Sequence, residues 1–325
     1  MKLTLEQIRA IAKGAARVER SNNGIRLLRF TKEQEELYRL TNQDFYTKTF
    51  ATAGVRLEFT TDSPTLSMEV EVFSGSSRKF FSHEIYVNGT LVGELGSRET
   101  NCGRFAGSYE LGKGEKHVHV YFPWSTASTL ISLELADGSA LEPVTKPCNM
   151  LIYGDSITHG YDALSPSHSY ASLLTDILNA EAFNKGIGGD TFFPALAELS
   201  DEVEPDYITV AYGTNDWSKK EKEVFEKTCY DFYEALSRRN PNAKIFAITP
   251  IWRADHERQT KVGNFSYVDE YITRAVESLP NVTVIHGIDF VPKSAEYFSD
   301  KYLHPNDTGF AHYFENLYSE IKKHL

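Results

Sequence analysis

The chain has 325 residues, of which 41% are hydrophobic and 24% charged, and carries a net charge of -11 at neutral pH. That length suits about two domains with cores large enough to need no disulfide or metal, and the composition excludes a disordered chain. The acidic balance repels phosphate backbones, so no nucleic-acid partner is expected, and without a run of about 18 apolar residues no membrane partner is expected either.

Residues 3–20 read as an amphipathic helix, with Leu5, Ile8, Ile11 and Ala12 at helical spacing. Charges and Gln7 interrupt every apolar stretch there, so a signal peptide is not expected and a cytoplasmic protein is. From about 24 to 143 the pattern becomes short alternating runs, such as Val55–Phe59, Leu66–Val72, Glu84–Val87, His117–Tyr121 and Leu130–Leu135. Turn signals separate them, among them Asp62-Ser63-Pro64 and Asp137-Gly138, and Asn88-Gly89 is a strong hairpin signal. Strands of period two at this spacing predict a β-sandwich of jelly-roll type.

Pro143 and Pro147 flank a short linker, which divides the chain into domains 1–145 and 146–325. Beyond it, strands at Met150–Tyr153, Tyr207–Tyr212, Lys244–Ile248 and Val282–Ile285 alternate with helices at Ser169–Leu178, Glu221–Arg239, Val268–Leu279 and Asp307–Lys323. Apolar strands alternating with helices predict a parallel sheet covered on both faces. Ligands of such sheets bind beyond the carboxyl ends of the strands.

Four loops at that edge hold candidate chemistry. Gly154-Asp155-Ser156-Ile157-Thr158-His159-Gly160 sets a serine at a strand-to-helix turn, although a helix-capping Ser has the same position. Its Thr158 breaks the G-x-S-x-G elbow of α/β-hydrolases. Asn184–Asp190 contains three glycines, which allow close backbone approach. Tyr212-Gly213-Thr214-Asn215-Asp216-Trp217 offers a side-chain amide, a neutral donor suited to an oxyanion. Ser299–Asp307 holds His304 in a loop ahead of Pro305, with Asp300 four residues earlier.

Ser, Gly, Asn and His in this order, within GDSITHG, GTND and HPND, resemble the SGNH (GDSL) hydrolase superfamily over about residues 148–325. The resemblance implies a flavodoxin-like three-layer fold and ester hydrolysis without a metal or cofactor. It makes Ser156 the nucleophile and His304 the general base, with Gly189, Asn215 and the Ser156 N–H as oxyanion donors. The family's acid lies three residues before the His, where this chain has Lys301. Either a one-residue bulge brings Asp300 to the His304 ring, or the site is a Ser–His dyad.

A jelly roll ahead of such a domain is similar to carbohydrate esterase family 2, which implies removal of acetyl groups from xylo-, manno- or gluco-oligosaccharides. Trp217 and Trp252 are candidate sugar platforms. The alternatives are a lysophospholipase or thioesterase on the same scaffold and a catalytically weak sugar-binding protein. A homo-oligomer is compatible with the sequence. The three cysteines Cys102, Cys148 and Cys229 are read as buried structural residues. His117 and His119 share a strand face without an evident third ligand, so a solvated face is expected. Arg253, Asp255 and His256 either line the cleft or start a helix.

Overall fold

A computed structural model describes all 325 residues. In the first half two antiparallel sheets face each other. One has five strands, ordered Arg17–Arg20, Ile25–Leu28, Thr126–Leu135, Thr65–Ser74 and Gly103–Glu110. The other has six, with Ala12–Lys13, Arg56–Thr61, Lys116–Tyr121, Phe81–Val87 and Thr90–Ser97 in line and Glu142–Pro143 also paired to Arg56–Thr61. The inward residues of the alternating strands, including Leu57, Phe59, Leu66, Met68, Val70, Ile85, Val118, Val120 and Leu133, form the core between them. Asn88 (φ 48°) and Gly89 (φ 80°) make the hairpin turn, whose backbone twist needs two positive φ values.

The first helix is shorter than its periodicity suggests. It spans Leu5–Ile11, opened by a Thr4–Gln7 capping box, and the chain then turns into the sandwich strands. The stop is tertiary. Gly14 has φ 70°, and a Cβ there would lie 2.5 Å from the Gly54 oxygen and 2.8 Å from that of Ala182. Only glycine fits so close to two other chain segments.

Two helices, Lys32–Thr41 and Gln43–Thr49, interrupt the expected run of strands. They leave the sandwich and pack on the other half: Phe30 and Tyr38 belong to a core that includes Tyr153, Phe183, Ile187 and Tyr212.

Between Pro143 and Asn149 the pairing changes from antiparallel to parallel. Five strands run in the order Glu181–Asn184, Asn149–Gly154, Tyr207–Ala211, Lys244–Ile248 and Val282–Ile285. This is a flavodoxin-like order, with its switch point beside Asn149–Gly154. The helices Tyr170–Ile177 and Asp307–Ile321 cover one face, and Lys222–Arg239 and Ser266–Val276 the other. The architecture is therefore an all-β jelly-roll sandwich joined to a flavodoxin-like three-layer α/β fold. No helix is long and apolar enough to cross a membrane.

Candidate active site

The strand Asn149–Gly154 delivers Ser156 to the carboxyl edge of the sheet. Asp155 caps the following short turn, its Oδ1 accepting the Ile157 N–H at 3.0 Å. Gly154 permits the sharp turn, since a Cβ there would lie 2.0 Å from Thr158 Oγ1. On the opposite side, Ser299 N–H donates to the His304 carbonyl at 2.8 Å and closes a tight loop. Within it Lys301 takes φ 60°, a left-handed turn that adds one residue to the loop.

That turn folds Asp300 back onto its own loop. Oδ1 accepts N–H bonds from Tyr302 (2.9 Å), Leu303 (2.7 Å) and His304 (3.1 Å). Oδ2 accepts from His304 Nδ1 at 2.7 Å. His304 Nε2 lies 2.9 Å from Ser156 Oγ, across 148 positions of sequence. Because Nδ1–H donates to the carboxylate, Nε2 is left to accept the serine proton. Burial pushes the Asp300 carboxyl up, but the bonds from His304, Leu303 and Tyr302 outweigh it and hold it well below the usual carboxylate range.

Gly189 has φ 91°, and its N–H donates to no other group. Asn215 Nδ2 donates to the Asp190 carbonyl at 3.0 Å, which ties the two loops together. The amide has a second N–H, so one hydrogen fixes the loop and the other is free for an oxygen in the cleft.

Much of what holds this edge comes from outside the four loops. Arg29, fully buried, donates to the carbonyls of Asn184 (2.7 Å) and Gly186 (3.0 Å). Lys48 Nζ donates to the Gly188 carbonyl at 2.8 Å, and Tyr38 Oη to Asp190 Oδ2 at 2.7 Å. Trp124 supplies a carbonyl to His159 Nε2 at 2.9 Å, and His159 Nδ1 accepts the Gly188 N–H at 3.2 Å. Burial lowers the His159 pKa well below its ordinary value, so the ring is neutral with its proton on Nε2. Burial also raises the carboxyls of Asp155 to about 6 and Asp190 to about 7.

Several expectations change. Trp217 is no sugar platform: it is fully buried, packed on Phe265, with its indole N–H donating to Gly263. Trp252 is half-buried against Phe298 and His256, near the loop that carries Asp300. Arg253 neither lines the cleft nor starts a helix. It is a buried strut, bonded to Asp255, Tyr302 and the Thr214 carbonyl, with its guanidinium over the Trp217 ring. His117 and His119 have a third neighbour after all. Buried Glu58 lies 3.0 and 3.3 Å from their Nε2 atoms, and Lys146 and Arg56 already balance its charge. Cys229 is buried, but Cys102 is exposed and Cys148 only half-buried.

Residues 152–312 match the GDSL-like Lipase/Acylhydrolase family model. No curated protein is detectably similar in sequence. Among solved structures, the chain is similar to a salicylyl-acyltransferase from a tetracycline biosynthetic pathway, at 22% identity and TM-score 0.83, covering 96% of this chain and 94% of that one. It is similar to a GDSL-like lipase from Bacteroides ovatus at 20% identity and TM-score 0.78, covering 99% and 97%. A family two carbohydrate esterase from Clostridium thermocellum, in complex with cellohexaose, is 16% identical with TM-score 0.68, covering 96% and 98%.

Proposed function

We propose that this chain, an ester hydrolase by virtue of its GDSL-like lipase/acylhydrolase domain at 152–312, removes short acyl groups from sugar hydroxyls through a covalent Ser156 intermediate. The observation that carries the mechanism is the continuous relay from Ser156 Oγ through His304 to Asp300, at 2.9 and 2.7 Å.

A serine hydroxyl is barely ionised at neutral pH. As Oγ attacks the ester carbonyl, its proton passes to His304 Nε2. Negative charge collects on the former carbonyl oxygen. The N–H groups of Ser156 and Gly189 and the free N–H of Asn215 stabilise it, each contributing about 2.7–4 kcal/mol. The imidazolium then protonates the departing alcohol, and the C–O bond breaks to leave acyl-Ser156. Water repeats the cycle: its proton goes to His304, its oxygen to the acyl carbon, and Ser156 recovers its proton as the acid leaves. Asp300 fixes the tautomer and stabilises the imidazolium without itself being protonated.

A short acyl group is favoured by what surrounds Gly189. A Cβ placed there would lie 3.5 Å from the Phe45 ring and 3.6 Å from Lys219 Nζ. The Lys219 ammonium has no carboxylate within ion-pair distance and is held by the Gly189 carbonyl at 2.7 Å. A long alkyl tail would dehydrate that charge without recompense. The likeness in fold to the carbohydrate esterase bound to cellohexaose supports a sugar as the alcohol part.

The test is a panel of acetylated xylo-, manno- and gluco-oligosaccharides set against long-chain acyl esters and acyl thioesters. Acetate release from at least one oligosaccharide, abolished in Ser156→Ala, is the expected result. A preference for chains beyond about eight carbons overturns the sugar assignment.

A further inference from the structure

The imidazole of His304 faces two carboxylates, and the proposed mechanism uses one. Besides Asp300, Asp162 Oδ2 lies 3.7 Å from His304 Nδ1. Asp162 is almost fully buried and takes φ 72°. Asp is among the few non-glycine residues that take up this left-handed conformation readily, and the turn sets the Asp162 carboxylate beside the ring. The ring has a single N–H on that side and cannot serve both acids.

What occupies Asp162 comes from the other half of the molecule. Arg78 lies in the loop between the sandwich strands Thr65–Ser74 and Phe81–Val87. Its Nε donates to Asp162 Oδ1 at 2.5 Å and its Nη2 to Oδ2 at 2.8 Å. This two-pronged pairing matches the planar guanidinium to the planar carboxylate. The guanidinium also lies 5.3 Å over the Tyr161 ring, and that ring sits 5.7 Å from the His304 ring. Asn101 Nδ2 anchors the loop by donating to the Arg78 carbonyl at 2.7 Å.

We propose that Arg78 is a positioning residue that holds Asp162 off the His304 imidazole, so that Asp300 alone orients the ring and the ring stays unprotonated enough to act as a base. The proposal rests on the reading of His304 as general base given above. The charged and titratable groups facing His304 are Asp300 from its own loop, Asp162 and Tyr161 after the Ser156 turn, buried Asp155 beside Ser156, and Arg78 beyond Asp162. With Arg78 in place, the negative charge of Asp162 is matched. Without it, two carboxylates face one Nδ1–H and both favour imidazolium. The base would then be free only at higher pH. If Asp162 is removed instead, the unpaired Arg78 charge disfavours imidazolium.

The test is the pH profile of kcat/KM on 4-nitrophenyl acetate, whose acid limb reports the free enzyme's base. Arg78→Gln is expected to move that limb to higher pH by about one unit, with the plateau within about threefold of the parent. Asp162→Asn is expected to move it to lower pH, and the double variant to return it toward the parent. A merely structural Arg78 would lower activity at every pH and leave the limb in place, which would overturn the proposal. The same order is expected from NMR titration of the His304 ring, identified by its loss in His304→Asn. That readout needs no turnover: if Ser156→Ala shows the hydrolytic reading to be wrong, ring titrations in the stated order still uphold the role of Arg78. Ring titrations unmoved by Arg78→Gln refute it.

Discussion

The two halves of the molecule do different work at one site. The parallel-sheet half supplies each group assigned to bond-making: Ser156, Gly189, Asn215, His304 and Asp300. The sandwich half and its two outlying helices supply none of these, yet Arg29, Tyr38, Lys48, Arg78 and Trp124 all reach the loops that carry them. Reactive groups need a particular side chain at a particular point. The groups that aim a loop need only a charge or dipole of the right sign against a backbone oxygen or a carboxylate. The first requirement leaves a motif; the second does not.

Substitutions sharpen this contrast. The largest effect is expected from Ser156→Ala, which removes the attacking oxygen: a loss of at least about 10⁴-fold in kcat, with an unchanged melting temperature, measured by ester hydrolysis and thermal unfolding. Asp300→Asn is expected to cost up to about 10⁴-fold in kcat, since the amide cannot hold the same tautomer and imidazolium. A loss under tenfold would mean that the Ser156–His304 pair works as a dyad. Tyr38→Phe crosses to the other half. It takes one O–H from buried Asp190 next to Gly189, and about a tenfold loss in kcat with about 1–2 kcal/mol of stability is expected. If kcat were untouched, the outlying helices would be scaffold only.

The smallest effect is in stability against pH. Burial raises Asp155 to about 6 and Asp190 to about 7 in the folded chain, above their unfolded values. Between about pH 4 and 7 the folded state therefore binds protons that the unfolded state has released, so stability falls as pH rises through that window. Asp300, held low, acts oppositely: its contribution is lost only as pH falls below the ordinary carboxylate range. Denaturant unfolding across this range should show a shallower decline for Asp190→Asn. An unchanged slope would mean that Asp190 ionises freely in the folded state.

How much the sequence discloses follows the same division. The strand–helix alternation after Asn149 is plain because the inner strands Asn149–Gly154, Tyr207–Ala211 and Lys244–Ile248 are apolar and almost wholly buried, while each helix between them buries one face. The four loops are plain because they join consecutive elements at one sheet edge. The N-terminal half reads as strands from its alternation, but its two helices are obscured. Thr31 and Gln34 form a capping box visible as T-x-x-Q, yet the segment between Lys32 and Thr41 is polar, with only Gln34 and Tyr38 buried. The apparent helix over 3–20 fails for the reverse reason: its periodicity continues past Ile11, but Gly14 and the approach of Gly54 and Ala182 stop it. Trp217 misleads because its place after Asn215-Asp216 says where the backbone lies, not which way the ring turns. Glu58 is invisible as the neighbour of His117 and His119 because its strand, Arg56–Thr61, is distant in sequence from theirs.

The central claim is that acyl transfer passes through Ser156 Oγ. The most direct measurement is mass spectrometry of the protein quenched in acid during turnover of 4-nitrophenyl acetate, followed by peptide mapping. A single acetyl group on the peptide containing Ser156, absent from Ser156→Ala and longer-lived in His304→Asn, is the predicted result. An acetyl group on another residue, or undiminished turnover in Ser156→Ala, would contradict it.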